Sequence, residues 1–370
     1  MHILIVNPIV YTSESANIHK VDSIKDSMIY DLCLAFYEQG HSVTLFAAEP
    51  YKPRMQEEYP FEIVWCKCVF SKVFTPHRFP VLSGLKKYIK KNNDSIDLII
   101  SGEVFSFNSL LAYRAAKKKT IIWHELALYN RMFKKIPAKI WYYLIVPMFM
   151  KKAFVVPRSE EAKHFIKKHC ANVSEYTVDH GVNLNKFTVS KDKKNHFIVC
   201  SQLIERKRID GILEKFSSYL NKYDSSAGLY IVGSGELEEK LKEKATVLGC
   251  DSNVFFEGKM SHSQLMPILA EASALLINTV KDNSMISIVE AISVGTPVVT
   301  TDVPLNSEYI IKNSLGIAKP FWDEDDLHEV VLSSSIYVDN CIRYRQQLST
   351  SYRVGQFLSF LKNGSVPQKK

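Results

Sequence analysis

Asp282 and Glu290 stand with seven residues between them and frame the start of what reads as a helix. The flanking runs 274–277 and 297–299 are short, apolar and bounded, as buried strands are. Between them Met285, Ile288, Val289 and Ile292 recur at helical spacing until Gly295. Strand, loop, helix and strand make a βαβ unit, and open parallel sheets collect ligands outside the carboxyl ends of their strands. Ser284 is placed to cap the helix. The backbone N–H groups of Ser284, Met285, Ile286 and Ser287 would then offer a phosphate or diphosphate the unpaired donors of a helix start. About a turn and a half further on, Glu290 can accept hydrogen bonds from vicinal hydroxyls such as those of a ribose. A lone glutamate on a helix is ordinarily a surface acid, but Glu290 follows Ile286-Ser287-Ile288-Val289, and a carboxylate in so apolar a string needs a partner.

Three further groups could do chemistry. The run Gln202-Leu203-Ile204-Glu205-Arg206-Lys207-Arg208 follows a strand expected over 196–200 and precedes a helix expected over 209–220. Such a basic run is usually a solvated turn, but its location after a strand of the same half as Asp282 argues otherwise. Gly233-Ser234-Gly235, after a strand over 229–232, is a weak signal that serves phosphate loops and tight strand-to-helix turns equally. His124 closes a strand over 120–125 and is followed by Glu125. A histidine at a strand end is more often structural than catalytic, but the carboxyl edge of a parallel sheet raises its standing.

The elements that must position these groups alternate along the chain. Strands are expected at 3–7, 42–47, 61–67, 96–101, 120–125 and 153–156, with helices at 22–39, 80–92, 107–118 and 162–169. Such alternation implies a parallel, doubly wound sheet. The second half repeats the scheme with strands at 196–200, 229–232, 254–256, 274–277 and 297–299. At 370 residues the chain suits two α/β domains. The polar stretch Ser190-Lys191-Asp192-Lys193-Lys194-Asn195 reads as the linker, giving domains at 1–190 and 191–345. Residues 325–362 look helical, and the region 130–154 is aromatic and basic, read chiefly as a helix packed on the first sheet and otherwise as one lying on a membrane.

The string from Asp282 to Val299, closing on Gly295-Thr296-Pro297-Val298-Val299, resembles the signature of the retaining nucleotide-sugar glycosyltransferases of family 4. Asp282 stands where that family usually has Glu, and Met285 where it favours Gly. The resemblance implies the α/β GT-B fold: two Rossmann-like, doubly wound domains facing across a cleft, with the last helix, within 346–370, crossing back to the first. It implies transfer of a sugar from a UDP- or GDP-sugar to an acceptor hydroxyl with retention, without cofactor or metal. Glu290 would hold the ribose, Lys207 the diphosphate and Asp282 the sugar. Gln202 occupies the place of a diphosphate-binding Arg, for which Arg206 or Arg208 would substitute. Gly258 and Lys259 end the strand edge that takes the nucleobase, and His124, with Glu125, would line the cleft beside the sugar. The family's glycine pair after the first strand is missing, since residues 7–14 hold no Gly. The segment Asp179-His180-Gly181-Val182-Asn183 resembles the family's hinge.

Composition narrows the class. Apolar content of 46% and charged content of 23% describe a globular chain, and the net charge is +8. Residues 1–180 carry 25 Lys and Arg against 17 Asp and Glu, while the remainder has 22 of each, so the whole excess lies in the first half. Lys86, Lys87, Lys90, Lys91, Lys117–Lys119, Lys134, Lys135, Lys151 and Lys152 make patches that suit anionic lipid or a lipid-linked or glycan acceptor, although each cluster is equally well a solvated helix face. The seven cysteines are scattered and odd in number, as for reduced thiols in a cytoplasmic protein. No signal peptide or spanning segment is read, which places the chain in the cytoplasm or at the inner face of the cell membrane. A nucleic-acid role is disfavoured, since no reading motif accompanies the basic excess. Two other readings of the same architecture are a non-catalytic partner subunit that binds glycan and a nucleotide-sugar epimerase.

Overall fold

Val, Ile and Leu fill runs of three to seven residues, and the computed structural model, which describes residues 1–11, 18–72, 74–126, 136–282 and 284–368, pairs these runs in parallel. The first sheet holds β1 (His2–Val6), β2 (Ser42–Ala48), β3 (Glu62–Cys66), β4 (Leu98–Gly102), β5 (Thr120–His124) and β6 (Phe154–Pro157), in the order β3-β2-β1-β4-β5-β6. The second holds β7 (His196–Cys200), β8 (Gly228–Val232), β9 (Val254–Gly258), β10 (Ala274–Leu276), β11 (Val298–Thr300) and β12 (Gly316–Ala318), in the order β9-β8-β7-β10-β11-β12. Central strands are apolar on both faces, as when helices cover both sides: Ile3, Leu4, Ile5 and Val6 of β1 are all buried. In each sheet the winding reverses between the two central strands, β1 and β4 or β7 and β10. That reversal opens a crevice at the carboxyl edge.

The chain divides into one unit of Met1–Asn183 with Thr350–Lys370 and another of Leu184–Ser349. The last helix, Thr350–Ser359, thus belongs to the first unit, where Phe357 meets Trp123 edge-on at 5.4 Å and Gln39 Nε2 donates to Ser351 O. The stretch read as a linker lies inside the second unit instead. Ser190 N–H donates to Val294 O, and Lys193 Nζ to Ala270 O and Thr296 Oγ1, so its charges serve packing. Burial pushes that ammonium down to about 8.

Several expected helices start late. The first runs Met28–Glu38 behind a Ser27 cap, because Ser23 Oγ and Ile24 N–H donate to Glu57 and hold the preceding residues in a loop. In place of a helix from residue 80, Val81–Leu82 pairs antiparallel with Cys68–Val69. The helix Leu85–Lys91 follows Gly84, whose φ of 75° suits a residue without Cβ. The tail is three helices, Glu324–Leu332, Ser334–Tyr344 and Thr350–Ser359. Of the glycine-free loop, residues 12–14 lie outside the described residues, as do Asn130, Lys134 and Lys135.

Gly233 ends β8 at φ 142°, and a Cβ there would lie 1.8 Å from Ser201 O; a Cβ on Gly235 would lie 2.2 Å from Leu203 O. The glycine pair therefore admits the close approach of the loop that follows β7. Gly233→Ala is expected to destabilise the second unit by about 2–3 kcal/mol, read as a lowered urea midpoint. Gly355→Ala, at a helical position with nothing within 4 Å, should instead stabilise the first unit by about 0.4–1 kcal/mol. Equal midpoints for the two variants would contradict this account.

Candidate functional site

Lys207 is the best-buried cation of the basic run, and burial of an ammonium demands an anion. The 3-10 turn Glu205–Lys207 follows β7 and directs Lys207 inward, and Val280 N–H donates to Arg206 O, tying this loop to the one after β10. The two loops leave the neighbouring strands at which the winding reverses. From the second loop Asp282 supplies the anion: its Oδ2 lies 2.7 Å from Lys207 Nζ and 2.8 Å from Arg206 Nη1, and Thr279 Oγ1 donates to it over 2.8 Å. Arg206 Nη1 also donates to Lys281 O. Burial would raise the Asp282 carboxyl, but its bonds from Lys207, Thr279 and Arg206 hold it below the usual aspartate range.

The structure therefore joins Asp282, Lys207 and Arg206. Arg208 turns aside to Asp210, with φ 51°, and Gln202 is exposed. Glu290 lies elsewhere on the helix Ile286–Ser293: it is partly buried, with Oε1 3.5 Å from His262 Nε2. Its charge adds to burial in raising the Cys200 thiol, which places it near the end of β7. Gly258 closes β9 at φ 65° and accepts from Gly233 N–H, while Lys259 is exposed.

One expectation at the helix start is corrected. Ser284 is exposed and caps nothing; Met285 is the N-cap residue, and its N–H donates to Asn306 Oδ1. Asn306 is 1% exposed, so this donor is already used within the protein. Ile286 opens the helix with its side chain half exposed. An anion would find the cations of the preceding loop before it found four free amides.

In the first unit, charge gathers at the carboxyl edge of β4, β5 and β6. Glu103, at φ 67°, follows β4 and places Oε2 2.9 Å from His124 Nδ1, while its Oε1 accepts from Glu125 N–H. Arg158 Nη1 lies 2.6 Å from both Glu125 Oε2 and His180 Nε2, with its guanidinium 3.8 Å over Trp123. Burial would raise the Glu103 carboxyl, but His124, then Arg158 and Glu125 N–H, keep it below the usual range. His180 is driven well below its ordinary value by burial and then by Arg158 and Arg353. His124 itself is 0% exposed, stacked near Phe165, and its Nε2 has no hydrogen-bond partner among the described residues. Glu103 and Phe165 enclose the ring; Glu125 is the exposed member of the pair, held by Arg158.

Sequence reasoning missed Glu103, Arg158, Thr279, His262 and Asn306. Glu103 and Arg158 left a local signal, each a charge one residue past a strand end on the same sheet edge as His124. No group of three or more His, Cys, Asp or Glu is placed to hold a metal among the described residues.

Because the Glu103 carboxyl sits low in the folded chain, its contribution is complete above the usual glutamate range and is lost as pH falls through the folded value. Glu103→Gln should lower stability by about 1–3 kcal/mol at neutral pH. Melting curves of the two proteins should converge as the pH is lowered into the acid range. A constant offset at every pH would show that the carboxylate charge is not what matters.

The chain can now be set beside known proteins. Residues 183–336 match the family of glycosyl transferases group 1. The lipopolysaccharide glucosyltransferase WaaG of Escherichia coli K12 is 33% identical over 144 residues, covering 38% of this chain and 37% of that protein, so the chain spans little more than a third of this curated relative. Alpha-monoglucosyldiacylglycerol synthase of Streptococcus pneumoniae is 21% identical over 324 residues, covering 81% and 72%. Among solved structures, Anabaena HepE in complex with UDP superposes with a TM-score of 0.62 at 14% identity, covering 98% of this chain and 100% of the other. At that identity the likeness is one of fold, and the fold is GT-B, with two parallel-sheet α/β domains.

Proposed function

We propose that this chain, whose residues 183–336 match the glycosyl transferases group 1 family, transfers a sugar from a nucleotide-sugar to an acceptor hydroxyl. The observation that carries the reading is the pair Arg206 and Lys207 at the winding reversal of the second sheet, where the partly buried Asp282 holds both cations in place. As the glycosidic bond to the donor breaks, charge builds on the leaving diphosphate. Lys207 Nζ and Arg206 Nη1 stand ready to offset it without a metal ion. Glu290, acceptor-only when ionised, takes the ribose hydroxyls. Retention belongs to the proposal on the strength of the sequence resemblance. HepE is described in complex with UDP, which supports a uridine diphosphate donor as the first to test.

The acceptor side of the proposal rests on the helical stretch from Ile136 to Phe149. Trp141, Tyr142 and Val146 pack inward, as the sequence reading expected of this region. Ile136, Ile140, Tyr143, Leu144 and Met148 face outward as an apolar ridge, Ile136 at 72% exposure and Tyr143 at 75%. Lys139, Lys151 and Lys152 flank it in exposed positions, and Arg114 lies 5.1 Å over the Phe149 ring. An apolar ridge among cations that form no ion pair among the described residues suits the headgroup level of an anionic leaflet. No helix among the described residues is long and apolar enough to cross a membrane. By their names, one of the two relatives above is a lipopolysaccharide glucosyltransferase and the other makes a monoglucosyldiacylglycerol, which supports a glycolipid or surface-glycan acceptor.

Turnover of UDP-, GDP- and ADP-sugars, followed as released nucleotide, is expected with one donor, and excess EDTA should leave the rate unchanged. Lys207→Ala should lower kcat/KM by about a hundredfold or more, and Glu290→Ala by about tenfold. No release from any donor would defeat the enzyme reading in favour of a binding subunit. In co-sedimentation with phosphatidylglycerol–phosphatidylcholine vesicles, the chain should bind, more weakly in high salt. The triple variant Ile140→Ser, Leu144→Ser, Met148→Ser should lose most of that binding. Full solubility of the wild-type chain beside such vesicles would remove the membrane part of the proposal.

A further inference from the structure

Asp282 has a place in the ligand-free chain that the donor reading alone does not explain. Lys207 Nζ, Arg206 Nη1 and Thr279 Oγ1 reach the same carboxylate oxygen, Oδ2, at 2.7, 2.8 and 2.8 Å. The side chains of Lys207 and Asp282 are 9% and 15% exposed. Two cations face one carboxylate, so the cluster keeps a net positive charge, and the carboxylate stands where a phosphate oxygen would receive the same donors. A buried ammonium without a counter-ion is costly, so some anion must hold Lys207 inward before the donor arrives. The aspartate side chain is one methylene shorter than glutamate, and with Thr279 donating to it from three residues upstream it is drawn back onto the cations.

We propose that Asp282 is a resident counter-ion: it keeps Arg206 and Lys207 in place in the ligand-free chain and gives up Lys207 to the diphosphate of the donor. Asp282 is then a positioning residue that sets donor affinity by competing with the phosphates for Lys207, which it presents already placed beside Arg206. This rests on the donor reading above. It departs from that reading in one respect, since the sequence resemblance gives Asp282 to the sugar.

The test is isothermal titration of the full chain with inorganic pyrophosphate and with UDP, GDP and ADP. Pyrophosphate reports on the cations alone, whatever the base. Asp282→Asn removes the competing charge and should tighten pyrophosphate binding about three- to tenfold, together with the matching nucleoside diphosphate. Thermal stability without ligand should fall, and the ligand-induced rise in Tm should be larger than in the wild type. A merely structural role for Asp282 would weaken binding instead, so the sign of the change separates the two. Thr279→Val loosens the same carboxylate without removing it and should tighten pyrophosphate binding by a smaller factor, which covers the case in which Asp282→Asn does not fold. Binding to the wild type that the folded Asp282→Asn variant, or failing it Thr279→Val, weakens or leaves unchanged overturns this inference alone. No binding of any of the four compounds to the wild type overturns the donor reading beneath it.

Discussion

An ammonium group taken out of water needs an anion in contact, and Lys207 finds it on the loop of the neighbouring strand. That requirement orders the second unit. The anion can arrive only if the loops after β7 and β10 run side by side, and the backbone bond from Val280 to Arg206 holds them so. The loop after β7 can lie there only because Gly233 and Gly235 have no Cβ to strike its carbonyls. The parallel order of the sheet supplies the rest, since reversal of the winding at β7 and β10 leaves this one edge uncovered by a crossover helix.

The first unit repeats the strand order and gathers charge at the same edge, with a different outcome. There the network closes on itself: Glu103 faces His124 and takes Glu125 N–H, Glu125 pairs with Arg158, and Arg158 reaches His180 and covers Trp123. A non-glycine residue at φ 67° beside a fully buried histidine is strain that the surrounding contacts must hold. In the second unit two cations answer to a single carboxylate, that of Asp282. The same topology thus carries a chain of paired charges at one sheet edge and two cations on one carboxylate at the other.

Much of this was legible in the chain. Strand positions followed from apolar runs, and β1, β7 and β10 fell within a residue of expectation because buried parallel strands leave so plain a pattern. The basic run and Asp282 were both legible as candidates, and the structure brings Arg206, Lys207 and Asp282 together while Glu290 stands beside His262. What escaped were partners distant in sequence. Nothing near Met285 announces that Asn306, 21 residues on, takes its N–H. The polar composition of residues 190–195 suits a linker, and only the carbonyl and hydroxyl that receive Lys193 Nζ show that it is packed. His124 read as a site residue because its strand end is right, and it is enclosed because Glu103 and Phe165 arrive from other elements.

The loops after β7 and β10 are proposed to form one anion site for a nucleoside diphosphate. Hydrogen exchange of backbone amides, with and without a saturating nucleoside diphosphate, reports on it segment by segment. The account predicts slower exchange in residues 201–208 and 279–290 for at least one of UDP, GDP and ADP, and unchanged exchange around Glu103 and His124. Protection confined to the first unit, or none with any of the three, would contradict it.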